Sequence, residues 1–217
     1  MFKETDTKEF ISESQEAFGW LADYLQINVF KAFDLCPLNK VCVVILGQDP
    51  YHSVENGTPQ ATGLAFSTNK GCAKQPSVSN IHKELKLEYP NFVPPHHGDL
   101  TNWATQGVLL VNSCLTVKPH AAKSHKDIWN GFMTRVFTAV NETNPECVYL
   151  LWGGVAIGKS SDLGERSIKL VATHPSSYSA TTASREAPAF IGCGHFRTTN
   201  EYLVSQGRSP IDWINLD

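Results

Sequence analysis

Several familiar sources of chemistry are missing from this chain. Its six cysteines, Cys36, Cys42, Cys72, Cys114, Cys147 and Cys193, never form a C-x-x-C pair, so neither a zinc site nor an iron–sulfur cluster is expected. No G-x-G-x-x-G follows a candidate strand and no G-x-S-x-G nucleophile elbow occurs. A P-loop nucleotide hydrolase is not expected either. No apolar run approaches the ~20 residues of a membrane-spanning helix. The charged opening, Met1 to Glu9, lacks the apolar stretch of a signal peptide, so an intracellular protein without membrane attachment is expected. Positive charge is also scarce: 18 Lys and Arg against 21 Asp and Glu give a net charge of -3. Bulk electrostatics would not hold nucleic acid on such a surface, and any binding must use local patches. Internal repeats and low-complexity linkers are absent. The 217 residues therefore read as one domain, with 41% hydrophobic residues to build its core.

What is present is a set of short apolar runs, each ending in a polar or glycine-rich break. Val41–Leu46 has no alternation and reads as a strand buried on both faces. It breaks into Gly47-Gln48-Asp49-Pro50-Tyr51-His52, which places an amide, an acid, a phenol and an imidazole within five residues. Val108–Val111 ends in Asn112, Cys147–Trp152 in Gly153-Gly154, and Ser167–Ala172 in Thr173-His174-Pro175-Ser176. Helical patterns lie between them: 9–27 with Phe10, Phe18, Leu21 and Leu25 on one face, 78–87 capped by Ser77, a short turn from Asp99 to Trp103, 128–141, and 195–206. Ser53–Thr62 reads as a loop, and 118–126 as a polar loop carrying Lys118, His120, Lys123, His125 and Lys126. The fold class is α/β, a single domain with a central four-stranded, mostly parallel sheet flanked by helices. Parallel strands present their carboxyl ends along one edge, where open sheets bind ligands. Asp49, Asn112, Gly153-Gly154 and His174 should meet there.

Taken singly, each residue has an ordinary explanation. Asp49 could merely form a turn, Phe66 could be a core aromatic, and His174 before a proline could be structural. Their joint placement is harder to explain that way. The motifs Gly47–His52, Gly63-Leu64-Ala65-Phe66-Ser67, Pro76-Ser77, His97-Gly98-Asp99-Leu100, Leu151-Trp152-Gly153, His174-Pro175-Ser176 and Pro210-Ile211-Asp212-Trp213 occur in that order. With them the chain resembles the uracil-DNA glycosylases from about Val29 to Trp213, residues 1–28 forming a helical N-terminal segment.

The resemblance implies a hydrolase of base excision repair that flips deoxyuridine out of DNA, cuts its N-glycosidic bond and leaves an abasic site. It implies Asp49 and His174 as catalytic residues, with Gln48, Tyr51, Phe66 and Asn112 binding uracil. Ser77, Gly153, Gly154, Ser176, Tyr178, Ser179 and Arg185 would face DNA. No metal or cofactor is implied. The implied partners are single- or double-stranded DNA containing uracil and a protein inhibitor that mimics DNA. The enzyme would act as a monomer in the cytoplasm or nucleus. The chain also departs from the family pattern. Gly154 stands where a serine is usual, Tyr178 where a leucine wedges into the duplex, and Lys74-Gln75-Pro76 is poorer in proline. The loop from Ala180 to Ile191, which carries Arg185, is longer than usual. A scaffold that only bound DNA would have no need of Asp49, Asn112 and His174 together.

Overall fold

A computed structural model describes residues 28–118 and 121–216. The helix expected over 9–27, and His120, lie outside the described residues. The sheet has the order β4-β1-β5-β6, from Val43–Gly47 (β1), Val108–Asn112 (β4), Val148–Trp152 (β5) and Ile168–Ala172 (β6). Every pairing in it is parallel. All residues of β1, β4 and β5 are buried, as unalternated apolar runs require, whereas β6, at the edge opposite β4, is half-buried up to Ala172.

The described helices are Lys31–Leu35 (α1), Pro76–Glu88 (α2), Thr101–Thr105 (α3), Lys126–Thr143 (α4), Gly154–Ile157 (α5) and His195–Ser205 (α6). Helix α4 turns Trp129, Met133, Val136, Phe137 and Val140 into the core at helical spacing. Helix α2 starts two residues before the expected boundary. Proline at its first position suits a helix start, so Gln75 takes the capping place. Ser77 is therefore inside the first turn and does not cap it. A second departure is a two-residue ribbon, Val54–Glu55 (β2) with Thr58–Pro59 (β3), inside the expected loop. Asn56 and Gly57, both at positive φ, turn it, as an Asn-Gly hairpin does. The short α1 and α5 have too few turns to leave a periodic signal.

Two buried carboxylates join α2 to α6. Glu84 accepts the backbone N–H groups of Gly192 (2.5 Å) and Gly194 (2.9 Å), and Glu88 those of Phe196 (3.3 Å) and Arg197 (2.6 Å). They satisfy amides that lead into and open α6. All six cysteines are free thiols. No helix among the described residues is long and apolar enough to cross a membrane.

Candidate active site

Beyond the carboxyl ends of β1, β4 and β6 opens a pocket of about 380 Å³. Gln48, Asp49, Tyr51, Phe66, Asn112 and His174 line it, as do Ser77 and Ser176. These residues span the chain from 48 to 176, and the sheet register gathers them.

Gly47 and Asn112 are partners at the ends of β1 and β4. A Cβ on Gly47 would lie 2.0 Å from Asn112 Oδ1, so the glycine provides the space for that carboxamide. The following loop is tied back to β4, because the Gln48 carbonyl accepts Ser113 Oγ (2.9 Å) and the Cys114 N–H (3.0 Å). That carbonyl is therefore committed. The Gln48 side chain turns to Asp49, with Nε2 donating to Oδ1 (2.9 Å). Oδ2 of Asp49 accepts the backbone N–H of Lys123 at 2.7 Å.

Tyr51 donates its hydroxyl to the Phe66 carbonyl (3.3 Å), and burial pushes its phenol well above the ordinary range. Phe66 takes φ 64°, and its ring lies 5.6 Å from Trp152 and 5.7 Å from His174, centroid to centroid. Trp152 is in turn fixed by its indole N–H, which donates to His195 Nδ1 (3.1 Å).

The His174 loop is braced from several directions. The Ser176 N–H donates to His174 Nδ1 (3.0 Å), which leaves the proton of a neutral ring on Nε2. Burial lowers the His174 pKa from its ordinary value, so the neutral ring is favoured at pH 7. Ser179 Oγ donates to the His174 carbonyl (2.8 Å), so Ser176 Oγ is the donor to Ser179 Oγ (2.9 Å). Ser179 thus points inward and does not line the pocket. Asn80 Nδ2 on α2 donates to the Pro175 carbonyl (2.8 Å), a brace the sequence reading did not include.

The remaining expected DNA contacts lie outside the pocket. Gly153, at φ 94°, sits so close to His174 that a Cβ would come within 2.9 Å of the His174 Cβ. Gly154 is exposed with nothing near its Cβ position. Tyr178 is 97% exposed, and Arg185 stands in an exposed turn.

One motif bears on the expectation against a P-loop. Gly153-Gly154-Val155-Ala156-Ile157-Gly158-Lys159-Ser160 does have P-loop spacing and does follow a strand. It does not form a phosphate cradle. Helix α5 already begins at the second glycine, and Lys159 Nζ is held by Asn130 Oδ1 (2.6 Å) and Asp162 Oδ2 (3.5 Å). Among the described residues, no group of three or more His, Cys, Asp or Glu is placed to hold a metal ion.

A model of the uracil DNA glycosylase superfamily matches residues 33–204. The uracil-DNA glycosylase of Dichelobacter nodosus is 45% identical over 187 residues, 85% of this chain and 77% of that one. That of Pectobacterium carotovorum is 43% identical over 210 residues, 96% and 87% of the two chains. The crystal structure of mimivirus uracil-DNA glycosylase superposes with a TM-score of 0.84 at 26% identity, covering 98% of this chain and 84% of that one. A variant of the mimivirus protein, solved in complex with UGI, gives a TM-score of 0.80 at 27% identity over 90% and 80% of the two chains. On the family match and the identity to both bacterial proteins, the chain belongs to the uracil-DNA glycosylase superfamily.

Proposed function

We propose that this protein hydrolyses the N-glycosidic bond of deoxyuridine in DNA, releasing uracil and leaving an abasic site. The observation that carries the reading is one pocket shared by an acid, a neutral histidine, a carboxamide and an aromatic ring, from four separate parts of the chain. A base stacked in a duplex cannot reach such a pocket, so the nucleotide must be turned out at a cost of a few kcal/mol. As the C1′–N1 bond breaks, its electron pair leaves with uracil and positive charge grows on the sugar. Asp49 stabilises that charge and takes a proton from the water that adds to C1′. Negative charge grows on uracil O2, where the Nε2–H of His174 donates a hydrogen bond.

Asn112 reads the base, accepting from N3–H and donating to O4, whereas cytosine presents the opposite pattern. Phe66 stacks on the ring, a contact worth ~1–3 kcal/mol. Tyr51 stands against C5 and excludes the methyl group of thymine. Ser77 and Ser176 hold phosphates, with Gly153 and Gly154 beside them. Ser179 serves by fixing the His174 loop. Tyr178 fills the gap left by the flipped base, and Arg185 meets the DNA backbone.

The chain acts as a single-domain monomer on single- or double-stranded DNA, in whichever compartment holds that DNA. The UGI complex of its mimivirus relative supports a DNA-mimicking inhibitor as a further partner. Incubation with a uracil-containing single-stranded oligonucleotide, followed by alkaline cleavage, should cut the strand at the uracil position. An uncut strand refutes the proposal.

A further inference from the structure

Asp49 is oriented from two sides, and the two supports differ in kind. Oδ1 is held by the neighbouring Gln48 side chain, whereas Oδ2 is held by the main chain of Lys123, far along the sequence. Lys123 has φ 62°, and with Asn56 and Phe66 it makes up the non-glycine residues at positive φ among the described residues. For a residue with a Cβ, this conformation is disfavoured, and it persists only where surrounding contacts enforce it.

Those contacts are present. The Ser124 N–H donates to the Ala121 carbonyl (3.3 Å), the Lys126 N–H to the Lys123 carbonyl (3.2 Å), and the Lys118 N–H to Ser124 Oγ (2.8 Å). On the buried side, His125 Nδ1 lies 2.9 Å from Thr116 Oγ1, which also accepts the Trp129 indole N–H (2.7 Å). The loop is thus anchored in the core at His125 and meets the pocket at Ala122, with Lys123 between them. The left-handed turn at 123 aims an amide at the carboxylate.

We infer that Lys123 is a positioning residue for the hydrolysis, acting through its left-handed backbone and not through its charge. Its N–H fixes the Asp49 carboxylate towards the sugar and the attacking water. The inference rests on the role given to Asp49 above.

The test is single-turnover uracil release from a single-stranded oligonucleotide by the wild type, Lys123→Val and Lys123→Asn. Valine, β-branched, resists positive φ, whereas asparagine adopts it readily, and neither carries a charge. Lys123→Val should lower the rate about tenfold with substrate binding changed less than threefold, and Lys123→Asn should recover most of that loss. In an Asp49→Ala background, Lys123→Val should cost nothing further. Equal losses for valine and asparagine would assign the effect to charge and overturn the inference. So would a valine loss that persists undiminished beside Asp49→Ala, or one that appears in binding. Failure of the functional reading looks different, since the wild type would then release no uracil.

Discussion

Replacing Gly47 by alanine tests the pocket geometry most directly. The new methyl would stand 2.0 Å from Asn112 Oδ1, 3.2 Å from Asn112 Cγ and 3.0 Å from the Ala65 Cβ. An ordinary carbon–oxygen contact needs more than 3 Å, so the carboxamide must move by about 1 Å or more. Ala65 is fully buried, and β1 lies between two strands, so neither that neighbour nor the backbone has room to yield instead. Overpacking of this kind costs about 1–3 kcal/mol, which should lower the melting temperature by roughly 2–12 °C in a domain of this size. The functional loss should be larger in proportion, because a 1 Å displacement of a group that holds the substrate can cost ~10²-fold. Steady-state kinetics on a uracil oligonucleotide, with thermal unfolding alongside, would separate the two effects. Gly131→Ala, on α4, is the control, since its added Cβ meets nothing within 4 Å and the residue does not line the pocket. If Gly47→Ala keeps kcat/KM within threefold, Asn112 does not read the base from the position described.

Asp49→Asn and His174→Leu should each lower turnover by ~10²-fold or more while binding to uracil-containing DNA survives, as filter binding would show. Tyr51→Ala should acquire weak thymine release, and Asn112→Asp weak cytosine release, both read by chromatography of the freed base. Tyr178→Ala should slow excision from duplex much more than from single-stranded DNA, where no stack must be opened; Arg185→Ala should flatten the salt dependence of duplex binding. Acid should weaken the fold before it disturbs the carboxylates generally. Burial, with Lys74 and His97 adding to it, pushes His82 down to about 4, and burial does the same to His195. Both histidines stay neutral in the native state, so their stabilisation is complete above pH ~6.5 and is lost as pH falls towards 4. Glu88, pushed up to about 7 by burial, acts in the opposite sense and offsets part of the loss. His174 and His125, both lowered by burial, add to the loss, so the fold should be weaker at pH 5 than at pH 7.5, measurable as a lower urea midpoint.

The four strands were legible because burial on both faces leaves unalternated apolar runs that polar breaks cut short. Those breaks also located Asp49, Asn112 and His174, which parallel pairing carries to one edge. Contacts set by tertiary structure were not legible. Nothing near Lys123 announces that its amide reaches Asp49, and nothing near Asn80 points to Pro175. The Asn56-Gly57 turn was readable, but its strands of two residues each are too short to alternate. Gly153–Ser160 is the converse case, a motif spacing without the backbone that would give it meaning, since the helix begins too early.

The strand order has a consequence for how the enzyme comes into being. Central β1 pairs with β4, Val43 against Val108, and with β5, Val43 against Val148, while His174 follows β6 at the outer edge. Both pairings of β1 are distant in sequence, and such a topology folds slowly because long loops must close before any contact rewards them. A chain emerging from the ribosome would possess Asp49 and Asn112 well before it possessed His174. On the role proposed for His174, base removal cannot begin during synthesis until β6, the last strand to be made, has joined β5.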